Sequence, residues 1–451
     1  MINKKNQIFI KILFLICSLH GVSQSSPLDR KLPDDSYFFN PIVHDVNILE
    51  FSNAFNDSRS LQYKIDELES RGGGVLIIKS DTYVLEQIHM KSNVHIKVES
   101  GTIFKTKTPK NALFRAGYQN GFNKVTNWSF QGFDKGTFTF DFSNFKPNEK
   151  IRAFQLGNAQ NFKIADFKVI DNNTKFNAIT SEAVGGTPAF FPSFGIIENI
   201  GVENAHYGYG VVQIQVGQDL LFRNLQGIGG VTLRLESGYK GLADRYLTDK
   251  TIVMNNIYGR NISCKNGAHA VMISPHTIHQ GVVDIRNIST ISCEASVAIN
   301  FGFLSRKKDQ LGTGHVAGTF SEDSVIANVF AEYGNQAQVR AMRLKFIPCA
   351  LREYISVEKN LDNESYKAPA LSAVYYTSLD GYKSFNNPEG TYQIDVDDVK
   401  HSGFSPEVPK NGFITSSTLN DFENCENQRS ATIFIKPKER NTQNPLQSTF
   451  K

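Results

Sequence analysis

Three stretches that alternate apolar and polar residues carry an amide, a carboxyl and an imidazole. They are VVQIQV from Val211, VTLRLES from Val231 and AVMISPHTIHQG from Ala270, and the polar groups are Gln213, Glu236 and His276. If each stretch is a strand, Val212, Ile214, Leu233, Leu235, Val271 and Ile273 turn into a core and the three polar groups share the outward face. Such a set suits acid/base chemistry. Glu236 can protonate a departing oxygen, and burial or an aromatic flank such as Tyr239 is expected to raise its pKa and keep it protonated. His276, after Pro275 at a strand end, can hydrogen-bond a substrate or hold the carboxyl. Gln213 cannot transfer protons at neutral pH, but its amide can orient water, an ion or a sugar hydroxyl. Each residue alone has the blander reading of a solvated surface group.

The elements that must position these groups are short. Asn199-Ile200, Asn224-Leu225, Asn256-Ile257 and Asn287-Ile288 recur at intervals of 25, 32 and 31 residues, each opening an apolar strand. Coils of that size cannot bury their own apolar sides, so they are expected to stack into an all-β parallel β-helix, with Asn side chains laddering between coils. The segment from Asp57 to Gly74 places Leu61, Ile65 and Leu68 on one helical stripe, a short helix that would cap the N-terminal end of the stack. The glycine-rich segment from Gly302, with Arg306, Lys307 and Lys308, reads as a loop beside the coils.

Residues 1–23 read as a secretory signal, with Lys4, Lys5 and Lys11 around an apolar run and small residues before Gln24; a lipoprotein reading at Cys17 is disfavoured by Ile16. Residues 24–354 are read as the β-helix catalytic domain with its cap, and 355–451 as final coils or a small C-terminal extension. Export to the periplasm or the medium is expected, and no later stretch is long and apolar enough to span a membrane. The formal charge of +4 falls to +1 without the signal lysines, so no nucleic-acid partner is expected, and the protein is taken as a monomer. Residues 221–360 carry 16 Lys and Arg against 11 Asp and Glu, a local excess that favours anions. Cys264 and Cys293, 29 residues apart at matching places, stand either as a bridge or as two stacked thiols.

The stretches VTLRLES and NGAHAVMISPHTIHQGVVDIRNISTISC, in that order, resemble the iota-carrageenase family of glycoside hydrolases. The likeness is best from Tyr207 to Gly302 and is specific over VMISPH. It implies a secreted, right-handed parallel β-helix that hydrolyses β-1,4 linkages inside sulfated galactan chains with inversion. By matching position, Glu236 is the acid, His276 the family's functional histidine and Gln213 its glutamine. The family's base, an Asp two residues after the glutamate, is replaced here by Gly238. The base is expected either from the following insertion YKGLADRYLTDK, through Asp244 or Asp249, or from another coil, with Asp244 preferred. The modest loop near Gly302 replaces a larger domain of some relatives and leaves the cleft more open.

Sulfate esters call for cationic donors, and Arg binds such oxyanions in paired fashion. Arg234, Arg245 and Tyr239 are the expected substrate contacts, with Arg260, Arg306, Arg340, Arg343 and Arg352 also available. The chemistry needs no cofactor; a structural Ca²⁺ or other ion is conceivable, and the run Asp395, Asp397, Asp398 offers oxygen ligands. The leading reading is an endo-acting hydrolase of iota-carrageenan. A β-helix polysaccharide lyase and a noncatalytic sulfated-polysaccharide-binding protein are the alternatives, the latter favoured by Gly238.

Overall fold

Short strands that alternate apolar and polar residues need a neighbour on each side, and the chain provides one by winding. The computed structural model describes residues 26–52, 57–109, 112–118, 122–305, 310–379, 390–415 and 418. The signal reading, Cys17 and the basic cluster Arg306, Lys307 and Lys308 lie outside the described residues. A short unit ends at Leu32 and holds one 3-10 turn at Pro27–Asp29; a second begins at Pro33 and contains everything below.

Among the described residues, 14 strands form one sheet and 10 form another, each with strands in chain order along its main path. Neighbours are parallel, as in Ser193–Ala205, Gly217–Gly229, Met254–Lys265 and Val283–Ile291 of the larger sheet. In the smaller sheet β1 (Arg152–Leu156), β2 (Ile179–Ser181), β3 (Val212–Ile214), β4 (Val231–Glu236), β5 (His269–Ser274) and β6 (Ala295–Ile299) follow one another, all parallel. This is a parallel β-helix. Between the sheets runs one apolar core that includes Val212, Ile214, Leu233, Leu235, Val271 and Ile273, none with any exposed surface. Truncating one such side chain to Ala typically costs about 2–5 kcal/mol.

The capping helix Ser58–Ser70 (α1) forms as its pattern predicts. The Asp57 side chain accepts from Ser60 N at 2.6 Å, and Gly72 and Gly73 adopt positive φ where the helix stops. Leu61, Ile65 and Leu68 are fully buried and join the core of the first coils. Beyond residue 355, Ser372–Tyr376, Asp395–Ser402 and Phe413–Ile414 continue the two sheets.

The Asn column is real but is one residue set away from its expected course. Asn224 donates to Asn199 at 2.9 Å, Asn261 to Asn224 at 2.9 Å and Asn287 to Asn261 at 3.2 Å. Asn261, not Asn256, holds the rung; Asn256 bonds Asp219 instead. The third coil contains two Asn-Ile pairs, and the insertion after β4 shifted the apparent period from one to the other. The four ladder residues have φ between 55° and 61°, a left-handed corner that Asn tolerates better than most residues.

Cys264 and Cys293 are buried free thiols with sulfurs 3.0 Å apart, so the stacked-thiol alternative holds. Asp398 pairs with Lys400 at 2.6 Å and accepts from Asn328 at 3.1 Å. Among the described residues no group of three or more His, Cys, Asp or Glu could hold a metal ion, and no helix is long and apolar enough to cross a membrane.

Candidate active site

Adjacent strands set the row. Gln213 on β3 is in register with Arg234 on β4, and Arg234 with Met272 on β5, while Glu236 faces Ser274. All point away from the core because the intervening residues are in it. His276 lies two residues past the end of β5, where its own φ of 52° turns the chain. Its carbonyl accepts from Phe303 N at 2.9 Å and Gly318 N at 2.8 Å, and its ring packs 4.5 Å from that of Phe303. So anchored, the ring returns over β4 and its Nε2 meets Glu236 Oε1 at 2.8 Å.

Arg234 closes on the other carboxylate oxygen, pairing with Glu236 Oε2 and donating also to the Gly208 carbonyl. Glu236 is only 6% exposed. Burial pushes its pKa up, but the Arg234 charge and the bond to His276 outweigh it and hold the carboxyl below the ordinary range. The sequence expectation of a raised pKa and a protonated resting state is therefore corrected: Arg234, two residues away on the same strand face, keeps Glu236 ionised. Tyr239 does not provide an apolar flank, since it is 62% exposed at the rim, where it precedes the helix Lys240–Tyr246 (α2).

Gln213, Arg234, Glu236, Tyr239 and His276 all line one cleft of about 450 Å³, a size in the range of small-ligand sites. Asp244 and Arg245 do not line it. The insertion forms α2, which directs Asp244 to His315 Nε2 at 3.3 Å and leaves it about half exposed; Arg245 donates to the Ala183 carbonyl at 2.7 Å. Asp249 is used within its turn, accepting from Thr251 and from Ala189 N. The expectation that this insertion delivers the base is thus not met by its geometry. Gly238 lies in the cleft, and a Cβ there would stand 3.0 Å from two atoms of the His276 ring.

Arg340 and Arg343, two of the further arginines expected to be available, line the cleft, and Arg152, which the sequence reading missed, joins them and Arg234 to make four guanidiniums against two carboxylates, Glu182 and Glu236. Phe176, Tyr207 and Tyr209 add aromatic faces. Arg343 is held by the fully buried Glu294 and by His269 Nε2 at 3.0 Å; burial pushes His269 down to about 4, so it is neutral in the cleft wall. Thr180 is in register with Gln213, so the alternation in Ile179, Thr180 and Glu182 was a usable signal for the upstream coil.

Among the expected extra arginines, Arg260 is paired with Asp284 at 2.9 Å, and Arg352 donates to the carbonyls of Ile347 and Lys345. Chemically, the cleft offers a carboxyl–imidazole pair sharing a hydrogen bond, set among cations that suit a sulfated or otherwise anionic chain.

Comparison with known proteins agrees with this chemistry. No family model matches the chain. An iota-carrageenase from Zobellia galactanivorans is 30% identical over 404 residues, covering 77% of this chain and 80% of that protein. One from Alteromonas macleodii is 34% identical over 321 residues, and the aligned part spans 66% of this chain and 62% of that relative. A solved 1,3-α-1,4-β-D-galactose-4-sulfate-3,6-anhydro-D-galactose-2-sulfate 4 galactohydrolase superposes with a TM-score of 0.74 at 29% identity, covering 86% of this chain and 95% of that one. An iota-carrageenase complexed to iota-carrageenan fragments gives a TM-score of 0.73 at 27% identity, covering 86% and 94%. The chain is a divergent member of the iota-carrageenase family of glycoside hydrolases.

Proposed function

We propose that this protein is an exported, endo-acting hydrolase that cleaves β-1,4 linkages of iota-carrageenan with inversion, Glu236 acting as general acid. The observation that carries the reading is the Glu236–His276 pair, 2.8 Å apart in a cleft walled by arginines. The names of its relatives, and the one solved with iota-carrageenan fragments, support the substrate.

An acid needs a proton, and resting Glu236 is ionised. Arg234 is the switch in this reading. A sulfate ester entering the cleft competes for its guanidinium, and once Arg234 turns to the sulfate, burial acts on the carboxyl with less opposition and raises its pKa. Glu236 then takes up a proton from solvent and passes it to the glycosidic oxygen as the bond to the anomeric carbon breaks, with His276 holding the carboxyl in place. Gln213 orients water or a sugar hydroxyl, and the other arginines hold sulfates.

Purified protein incubated with iota-carrageenan should release short sulfated oligosaccharides with saturated ends, and Glu236→Gln should lower kcat by about 10²–10⁴-fold. Unsaturated ends would make it a lyase, and full activity of Glu236→Gln would remove the acid assignment. The resting ion pair at Glu236 together with Gly238 favours one other reading, a binding protein, which predicts retention of the polymer with no rise in reducing ends.

A further inference from the structure

Inverting cleavage needs a second carboxylate, which takes a proton from the attacking water on the face opposite the acid. Gly238 has no side chain, and the His276 ring fills the space beside it. Asp244 is bound to His315, away from the cleft. Among the described residues, the carboxylates lining the cleft are Glu236 and Glu182.

We propose that Glu182 is the general base of this enzyme. The inference rests on the inverting-hydrolase reading above. Glu182 directly follows β2, and Glu236 ends β4; β3 lies between them, and Thr180, Gln213 and Arg234 share a rung across the three strands. Both glutamates are two residues past that rung on the cleft side. Two strand spacings of ~4.8 Å set their backbones ~9.6 Å apart, so the two glutamates stand on separate coils of one wall rather than in contact, as a base that works on water apart from the acid requires.

Its surroundings suit a base. Arg152 Nη1 at 3.3 Å and Gln155 Nε2 at 3.0 Å both donate to Glu182 Oε1, and the Tyr118 hydroxyl lies beside the same carboxylate. Arg152 is itself fixed by Thr180 Oγ1 at 2.5 Å and lies 3.9 Å over the Phe176 ring, so the carboxylate is held by a rigid cation. The side chain keeps 31% exposure, which gives water access. In the step, the water oxygen bonds to the anomeric carbon as one of its protons moves to Glu182. The bond from that carbon to the departing oxygen breaks, and this oxygen takes the proton from Glu236. Solvent later returns one proton to Glu236 and removes one from Glu182, so the net reaction consumes one water per linkage.

The test compares the wild type with Glu182→Gln, Glu182→Ala and, as a control outside the cleft, Asp244→Asn, on iota-carrageenan. Expected is a fall in kcat of about 10²–10⁴-fold for both Glu182 variants, with KM changed only a few-fold. Azide should restore turnover to Glu182→Ala, giving a glycosyl azide of inverted configuration, which no misfolded or merely mispositioned site would produce. Asp244→Asn should retain wild-type turnover. Glu182→Gln within threefold of a hydrolysing wild type would overturn the proposal, as would loss of turnover in Asp244→Asn alone. A wild type that releases no saturated reducing ends would overturn the hydrolase reading, and with it the role of Glu182.

Discussion

Replacing Arg234 by Met removes the cation from Glu236 while keeping much of the apolar stem. The two side chains are 17% and 8% exposed, so the carboxylate cannot recover from solvent what it loses from the guanidinium. Breaking a buried pair from one side costs about 3–5 kcal/mol, and because His276 still bonds Oε1 the expected loss is near the lower end, about 3 kcal/mol at pH 7. The pH dependence has a definite sign. In the wild type, burial raises the Glu236 pKa, but Arg234 and His276 bring the net value below the ordinary one. Its ionised form therefore contributes stability that is complete above the unfolded-chain value of ~4.3 and fades as pH falls toward the folded value. Without Arg234, burial meets less opposition and the carboxyl's pKa moves up, so the variant loses less stability than the wild type as pH falls from neutral.

The stability gap between wild type and Arg234→Met should thus be widest at pH 7 and narrow toward pH 4. Urea unfolding of both proteins at pH 7, 5.5 and 4 measures it. A gap of equal size at all three values would refute the linkage and reduce Arg234 to a packing residue.

Gly238→Ala places a Cβ 3.0 Å from the His276 ring, which must shift by a few tenths of an ångström; kcat should fall at least tenfold with the melting temperature little changed, and wild-type turnover would show that the close approach is not needed. Asn224→Ala removes two ladder bonds of 2.9 Å and puts Ala at a φ of 55°; at about 1 kcal/mol per bond plus about 1–2 kcal/mol for the backbone, urea unfolding should show a loss of about 3 kcal/mol, with Asn224→Gly milder. The Cys264 and Cys293 thiols, 3% and 2% exposed, should resist an aqueous thiol reagent in the native protein and react on unfolding; prompt native labelling would contradict their burial.

The in-and-out alternation of β3, β4 and β5 was legible because a strand turns every second side chain into the core, and the spacing of Leu61, Ile65 and Leu68 marked the cap for the same kind of reason. The convergence of Glu236 with His276 was less so. It depends on a left-handed backbone at His276 and on the Phe303 and Gly318 contacts, which come from a distant loop. The charge state of Glu236 was misread although its cause was nearby: Arg234 at i−2 projects from the same face and reaches the carboxylate before solvent does. Arg152 and Glu182 went unnoticed because their strands are short and precede the first clear Asn repeat, so only register shows that they share a wall with β4. Asp244 looked suitable as a loop acid, but the insertion is helical and turns it to His315.

The most direct measurement of the central claim follows the first reducing ends formed from iota-carrageenan by proton NMR, before mutarotation equilibrates them. Inverting hydrolysis of a β-1,4 linkage, with Glu236 protonating the departing oxygen, predicts that the initial signal is the α anomer and grows with depolymerisation. An initial β anomer, or unsaturated ends in place of reducing sugars released by water, would contradict it.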